Sequence, residues 1–169
     1  MDRAFLRGDI VLSFGERSDY YIDMRMIEVT SEGAYLIGEV LFDQIKDLDF
    51  NAIGGLAVGA VPLVTSVVIT CFHRGREVEG FWVREKAKGH GTRKLIEGNL
   101  PKNARVVIVD DVITSGQSVL KAIRTVEAEE AEILLVVSII DRERGASKLF
   151  SSEGYEYKPI FMKRDLIKN

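Results

Sequence analysis

Residues 104–120 read ARVVIVDDVITSGQSVL. Val106, Val107, Ile108 and Val109 are apolar and β-branched without alternation, the pattern of a central parallel strand covered on both faces. Asp110 and Asp111 follow, then Thr114-Ser115-Gly116. Val119, Leu120 and Ile123 recur at helical spacing. The reading is strand, acidic pair, tight turn, helix. Such a turn leaves unpaired backbone N–H groups at a helix N-terminus, where the dipole also favours an anion. Thr114, Ser115 and Ser118 add hydroxyl donors, and Gly116 lets a phosphate approach the backbone closely. The acidic pair repels that phosphate. It must accept hydrogen bonds from neutral hydroxyls, or hold a metal ion. A sugar phosphate answers both demands, with hydroxyls on the carboxylates and phosphate in the turn. A Walker-type loop is excluded, because no Gly-Lys-Ser/Thr follows.

Working outward, other segments repeat the strand–helix alternation. Ala52 to Val58 is predicted as a strand with two glycines. Gly59-Ala60-Val61-Pro62 opens a helix to about His73, with Pro62 where its missing N–H costs nothing. The strand end with its glycines makes a second anion-binding corner. GGLAVG lacks the GxGxxG spacing of a dinucleotide site. Glu79 to Arg84 reads as a strand with Phe81 and Val83 on one side and Trp82 on the other. Ile133 to Ile140 is another strand apolar on both faces, and Asp141-Arg142 follows it. A short helix over Ala146–Ser152 and an edge strand over Tyr155–Phe161 complete the pattern, Pro159 being unable to donate to a ladder. Right-handed βαβ crossovers and a parallel sheet flanked by helices are therefore predicted.

The N-terminal third is read as follows. Met1–Gly8 is predicted as a short helix, Ile10–Phe14 and Asp19–Arg25 as extended pieces. Tyr20 and Tyr21 suit a binding wall or strand packing equally. Thr30 or Ser31 caps a helix with Leu36, Ile37, Val40, Leu41 and Ile45 on its apolar stripe.

Composition bounds the function. The 169 residues suit one domain, 1–169, with a full core. Net charge is −3, without the basic excess of a nucleic-acid binder. Cys71 is the only cysteine, so no disulfide framework exists, and with no signal peptide a cytoplasmic protein is expected. The run Ile53–Phe72 is too broken by glycine, proline and hydroxyl residues to span a membrane. One stretch stands apart: Arg74 to Lys94 holds seven Lys/Arg against three Glu. Within it Glu85–Lys94 has no apolar periodicity, and Gly89 and Gly91 flank His90. A basic loop of this kind is able to close over an anion.

Val106 to Gly116 resembles the signature of phosphoribosyltransferases that use 5-phosphoribosyl-1-diphosphate (PRPP). Arg84, Lys88, His90, Gly91 and Ile96-Glu97-Gly98 are similar to the mobile-loop pattern of the orotate phosphoribosyltransferase family. Leu12–Arg25, the loop Gly55–Pro62 and Asp141-Arg142 match that family too, so the resemblance covers nearly the whole chain. It implies a type I phosphoribosyltransferase fold, with a small hood from about residues 1–30 and 154–169. It implies transfer of phosphoribose from PRPP to orotate in pyrimidine biosynthesis, magnesium as cofactor, and a homodimer whose mobile loops serve the neighbouring site. The implied catalytic residues are Lys88, Asp110 and Asp111. PRPP is implied to contact Arg84, Lys88, His90, Asp110, Asp111, Val112, Ile113, Thr114, Ser115, Gly116, Gln117 and Ser118. Ala57, Val58 and Gly59 would form the pyrophosphate loop, with a non-proline cis peptide. Thr114 and Arg142 would hold orotate, Arg142 through its carboxylate, and magnesium would be bound mainly through PRPP. Two positions depart from the family pattern. Ser13 stands where a Lys is frequent, and Glu85 rather than Lys follows Arg84, with Lys86 next. Two other readings remain. A phosphoribosyltransferase for xanthine or hypoxanthine would not need Arg142. A non-catalytic regulator of this fold would need a DNA-binding element, for which 169 residues without a basic helix leave no room.

Overall fold

The computed structural model describes residues 4–11, 17–86 and 94–166. The expectations for Ser13 and the turn around Gly15, and for Lys88, Gly89, His90 and Gly91, lie outside the described residues.

The chain begins as a hairpin, β1 (Phe5–Val11) and β2 (Arg17–Ile22), paired antiparallel in a sheet of its own. The helix expected over Met1–Gly8 is thus replaced by a strand in its described part. So short a helix is not stable alone, whereas pairing Phe5 opposite Ile22 satisfies the backbone across strands. A single turn, α1 (Arg25–Glu28), leads to α2 (Ser31–Ile45). Thr30 caps α2 as its sequence requires: Oγ1 accepts the Gly33 N–H at 3.1 Å.

The main body then alternates: β3 (Ala52–Gly54), α3 (Ala60–His73), β4 (Glu79–Val83), β5 (Ile96–Gly98), β6 (Arg105–Ile113), α4 (Gln117–Glu127), β7 (Glu132–Asp141), α5 (Ala146–Ser152), β8 (Tyr157–Met162) and α6 (Lys163–Leu166). The sheet order is β5-β4-β3-β6-β7-β8. All neighbours are parallel except β4 and β5. The central strand is β6, the one that the opening stretch predicts.

Its four apolar residues divide between two layers. Val107 and Val109 pack with Ile37, Leu41 and Ile45 of α2 and with Leu63 and Val67 of α3. Val106 and Ile108 pack with Val119 and Ile123 of α4 and Phe150 of α5. Successive strand residues face opposite sides, so helices on both faces demand an unbroken apolar run. Burying one such side chain contributes roughly 1.5–3 kcal/mol, and all four are fully buried.

Three boundaries differ from the sequence expectation. The strand predicted over Ala52–Val58 is regular only over Ala52–Gly54, continues as a single bridge from Leu56 to Val83, and residues 57–59 line the cleft described below. The strand β5 carries too short a pattern to announce itself. β8 is the edge strand that Pro159 implies, but it belongs to the main sheet through its pairing with β7. Residues 157–162 therefore lie in the sheet rather than in a hood. No helix among the described residues is long and apolar enough to cross a membrane.

Candidate active site

The β6 ladder runs past the apolar residues and carries both acids with it. Asp110 stands opposite Ser138 of β7. Burial raises the Asp110 carboxyl well above the usual range, and the neighbouring Asp111 raises it further. Burial also raises Asp111, against the opposing pull of backbone N–H groups at Val112 and at Asp111 itself. Both acids hold protons more tightly than a free aspartate.

After Ile113 the chain bends through Thr114–Gly116 into α4. Gly116 adopts φ +81, a conformation that only glycine takes at little cost. A Cβ there would also lie 3.0 Å from the Phe150 ring. Thr114, Ser115, Gln117 and Ser118 are exposed, and no side chain caps the N-terminus of α4. The turn thus presents hydroxyls and uncapped backbone donors to solvent, as an anion site requires. Ile113 is different: its side chain is buried in the core and its carbonyl accepts the Arg142 N–H at 2.9 Å.

Beside the acids opens a cleft of about 910 Å³. Ala57, Val58 and Gly59 line one wall, and the Ala57–Val58 peptide is cis. Trp82, Arg84, Glu85 and Lys86 reach it from the end of β4, Asp111 and Val112 from β6, and Arg142 from the end of β7. Asp110 and residues 113–118 adjoin this lining without belonging to it. Arg84 pairs with Glu97 at 3.6 Å, and its Nε donates to the Lys86 carbonyl at 3.4 Å. Lys88 and His90 lie outside the described residues.

Arg142 is held from several directions. Asp141 is buried and fixes the turn that presents it. Its Oδ1 accepts the Glu143 N–H at 2.7 Å and its Oδ2 the Ser147 hydroxyl at 3.2 Å. The guanidinium carbon lies 5.3 Å from the Tyr20 ring centroid, and Nη2 donates to the Tyr20 hydroxyl at 3.4 Å. The Glu143 carboxylate is engaged by Arg164 at 2.7 Å, which argues against a plain Arg142–Glu143 surface pair. The Arg142 Nε is buried without a hydrogen-bond partner among the described residues. A buried donor of this kind calls for an acceptor. The two tyrosines divide the roles that sequence left equal. Tyr20 is buried and stacks on Phe5 at 5.7 Å, whereas Tyr21 lines the cleft.

Other residues of the site have no role given by the resemblance, although Asp23 and Arg25 close the Leu12–Arg25 stretch that carries part of it. Asp23 and Arg25 both line the cleft. The Arg25 Nε donates to Asp23 Oδ1 at 2.7 Å and its Nη2 to Oδ2 at 2.9 Å. That pairing holds the Asp23 carboxyl below its ordinary value and raises Arg25. Glu28 is 2% exposed, and neither carboxylate oxygen has a hydrogen-bond partner among the described residues. Burial first, then the charges of Asp111, Asp110 and Asp23, push its carboxyl up to about 8. The spacing Asp23-x-Arg25 was the one available signal, and its meaning depends on what the fold places opposite.

Among the described residues no group of three or more His, Cys, Asp or Glu is placed to hold a metal ion. A divalent cation would therefore take much of its coordination from a phosphate-bearing ligand and water, as magnesium commonly does. The open, oxygen-bearing cleft fits that mode.

The chain is similar to characterised proteins over nearly its full length. The phosphoribosyl transferase domain profile matches residues 30–156. Orotate phosphoribosyltransferase of Streptomyces avermitilis is 40% identical over 98% of this chain and 91% of its own. The crystal structure of Mycobacterium tuberculosis orotate phosphoribosyltransferase in complex with Fe(III) dicitrate superimposes with TM-score 0.85 at 34% identity, over 98% of this chain and 93% of that one. The same enzyme in complex with PRPP gives 0.79 at 32% identity, over 94% and 89%. With the family profile over most of its length, and relatives of this similarity in sequence and fold, the chain belongs to the orotate phosphoribosyltransferase family.

Proposed function

We propose that this chain transfers the 5-phosphoribosyl group from PRPP to N1 of orotate, giving orotidine 5′-phosphate and pyrophosphate. The observation that carries the reading is the succession of three features along the end of β6. The uncapped turn at α4 adjoins the acid pair, and the acid pair adjoins a cleft holding Arg142 with an unpartnered buried Nε.

The parts then take these roles. Backbone N–H groups of residues 114–118 hold the 5′-phosphate, with the hydroxyls of Thr114, Ser115 and Ser118. Asp110 and Asp111 accept hydrogen bonds from the ribose hydroxyls. The bond from C1 to the diphosphate oxygen breaks, its electrons leaving with the diphosphate, and the bond from N1 to C1 forms. The proton shed from N1 is taken up by the released diphosphate. As the bond breaks, C1 gains cationic character, which the acid pair stabilises. The departing charge is assigned to Arg84 and Lys86 with the backbone of Ala57, Val58 and Gly59, and, as the resemblance implies, to Lys88 and His90. Lys86 lines the cleft and supplies a cation near the place where Glu85 replaces the frequent Lys. Magnesium, when bound through the diphosphate, neutralises part of that charge. Closure of residues 85–94 excludes water that would otherwise capture the sugar cation. Arg142 grips the orotate carboxylate bidentately, beside Thr114.

A homodimer is part of the proposal. Tyr35, Leu36 and Val40 of α2 and Ile69 and Phe72 of α3 are exposed on two helices that pack together. An apolar patch of this kind favours a second copy. A cytoplasmic protein, folded as one domain with the β1–β2 hairpin and α6 over the base, completes the reading.

The test is incubation with PRPP and magnesium against a panel of orotate, xanthine and hypoxanthine, measuring nucleotide and pyrophosphate. Orotate alone should give both products. Turnover of a purine with none of orotate would overturn the assignment.

A further inference from the structure

We propose that Arg25 is a second base-recognition residue, held in place by Asp23, and that it binds the anionic pyrimidine at the edge not taken by Arg142. The inference rests on the orotate reading and deepens it.

Geometry supplies the first argument. Arg25 shares the cleft with Arg142, Asp111 and Tyr21. Arg84 and Lys86 enter from β4 and suit the leaving diphosphate. Arg25 instead belongs to the β2 end, where Tyr20 stacks against Arg142. Two cations thus stand toward the leaving group and two toward the base.

The second argument is preorganisation. Asp23 accepts from the Arg25 Nε at 2.7 Å, from Nη2 at 2.9 Å and from its backbone N–H at 3.2 Å. The Asp23 backbone N–H is itself bound to the Ala4 carbonyl at 2.8 Å. Nη2 also reaches the Tyr21 hydroxyl at 3.4 Å. These bonds fix the guanidinium plane and leave the Nη1 hydrogens unclaimed by them. The Arg25 side chain is 56% exposed, and so open an ion pair contributes little to stability. A planar cation held rigid in a cleft is instead suited to ligand recognition.

Chemistry supplies the third. N1 of orotate attacks only as it loses its proton, and the charge left behind spreads onto the adjacent carbonyl oxygen. The carboxylate, on the other side of N1, is already allotted to Arg142. A fixed cation at the carbonyl edge favours the nucleophilic anion and disfavours bases that lack this charge.

The experiment is steady-state kinetics of Arg25→Gln, Arg25→Lys and Asp23→Asn, varying orotate and PRPP separately. Arg25→Gln should lower kcat/KM for orotate by roughly 10- to 100-fold, as for a lost hydrogen bond to a charged group. KM for PRPP and the melting temperature should be nearly unchanged. Arg25→Lys should restore part of the loss, and Asp23→Asn should produce a smaller loss in the same direction. Normal orotate kinetics in Arg25→Gln, or equal damage to both substrates, would overturn the inference alone. A wild-type protein inactive on orotate would overturn the functional reading, and this inference with it.

Discussion

A Cβ placed on Gly59 would lie 2.4 Å from Oδ1 of Asp111. The turn at Gly59 and the acid pair are therefore packed against each other, although 52 positions separate them. Gly59→Ala must push the Asp111 carboxylate aside. Overpacking of this kind costs about 1–3 kcal/mol, while displacement of a catalytic group by about 1 Å lowers the rate by as much as 100-fold. Gly59→Ala is expected to stay folded, by thermal melting, and to lose most of its turnover. Unaltered kcat would show that the contact does not position Asp111.

Asp110 and Asp111, proposed to act in catalysis, also bear on stability. Both folded-state carboxyls are raised, chiefly by burial. The folded protein holds their protons at pH values where the unfolded chain has released them. Stability therefore falls as pH rises from the unfolded value through the folded one. Replacing both by Asn should raise the melting temperature at pH 7 and lower turnover by about 10²–10³-fold, the scale of a lost electrostatic stabiliser. Kinetics and melting curves on one preparation check both signs.

Legibility in the sequence tracks how local each signal is. The corner from Val106 to Ile123 was readable because strand, acids, turn and helix are contiguous, and burial on both faces leaves its own pattern. The Thr30 cap and the Pro159 edge strand were readable for the same reason. The hairpin was not, because β1 owes its extended form to partners in β2. Nor was the place of Arg25, whose cleft is completed by a contact between Tyr20 and Arg142, 122 residues apart. Glu28 sits in a single helical turn without periodicity, so nothing local marked it as buried. Ile113 shows what motif membership leaves open: strand alternation turns its side chain into the core, so only its backbone is left for a ligand.

The proposal that Lys88 serves the neighbouring subunit's site has its own check. Lys88→Ala alone should lower turnover by about 10²–10³-fold without loss of stability. Mixing Lys88→Ala subunits with Asp110→Asn/Asp111→Asn subunits places both defects in one site of a heterodimer and neither in the other. Activity should return in part. Demonstrated subunit exchange with no recovery would mean that each loop serves its own chain.

Glu28 gives the last expectation, through linkage. Its carboxyl is shifted from an ordinary 4.5 to about 8 in the folded protein. Between those values the folded chain keeps the Glu28 proton and the unfolded chain does not. Stability from this group is full below pH 4.5, falls as pH rises through the window, and levels off above about 8. Glu28→Gln, which cannot ionise, removes that slope. Relative to wild type, the variant should gain stability progressively from pH 5 to pH 8, seen as a rising melting temperature and on the order of 1–3 kcal/mol at the upper end, the usual cost of an unsatisfied buried polar group. If the two melting profiles stay parallel across that range, Glu28 is ionised in the folded protein or finds a partner for its charge.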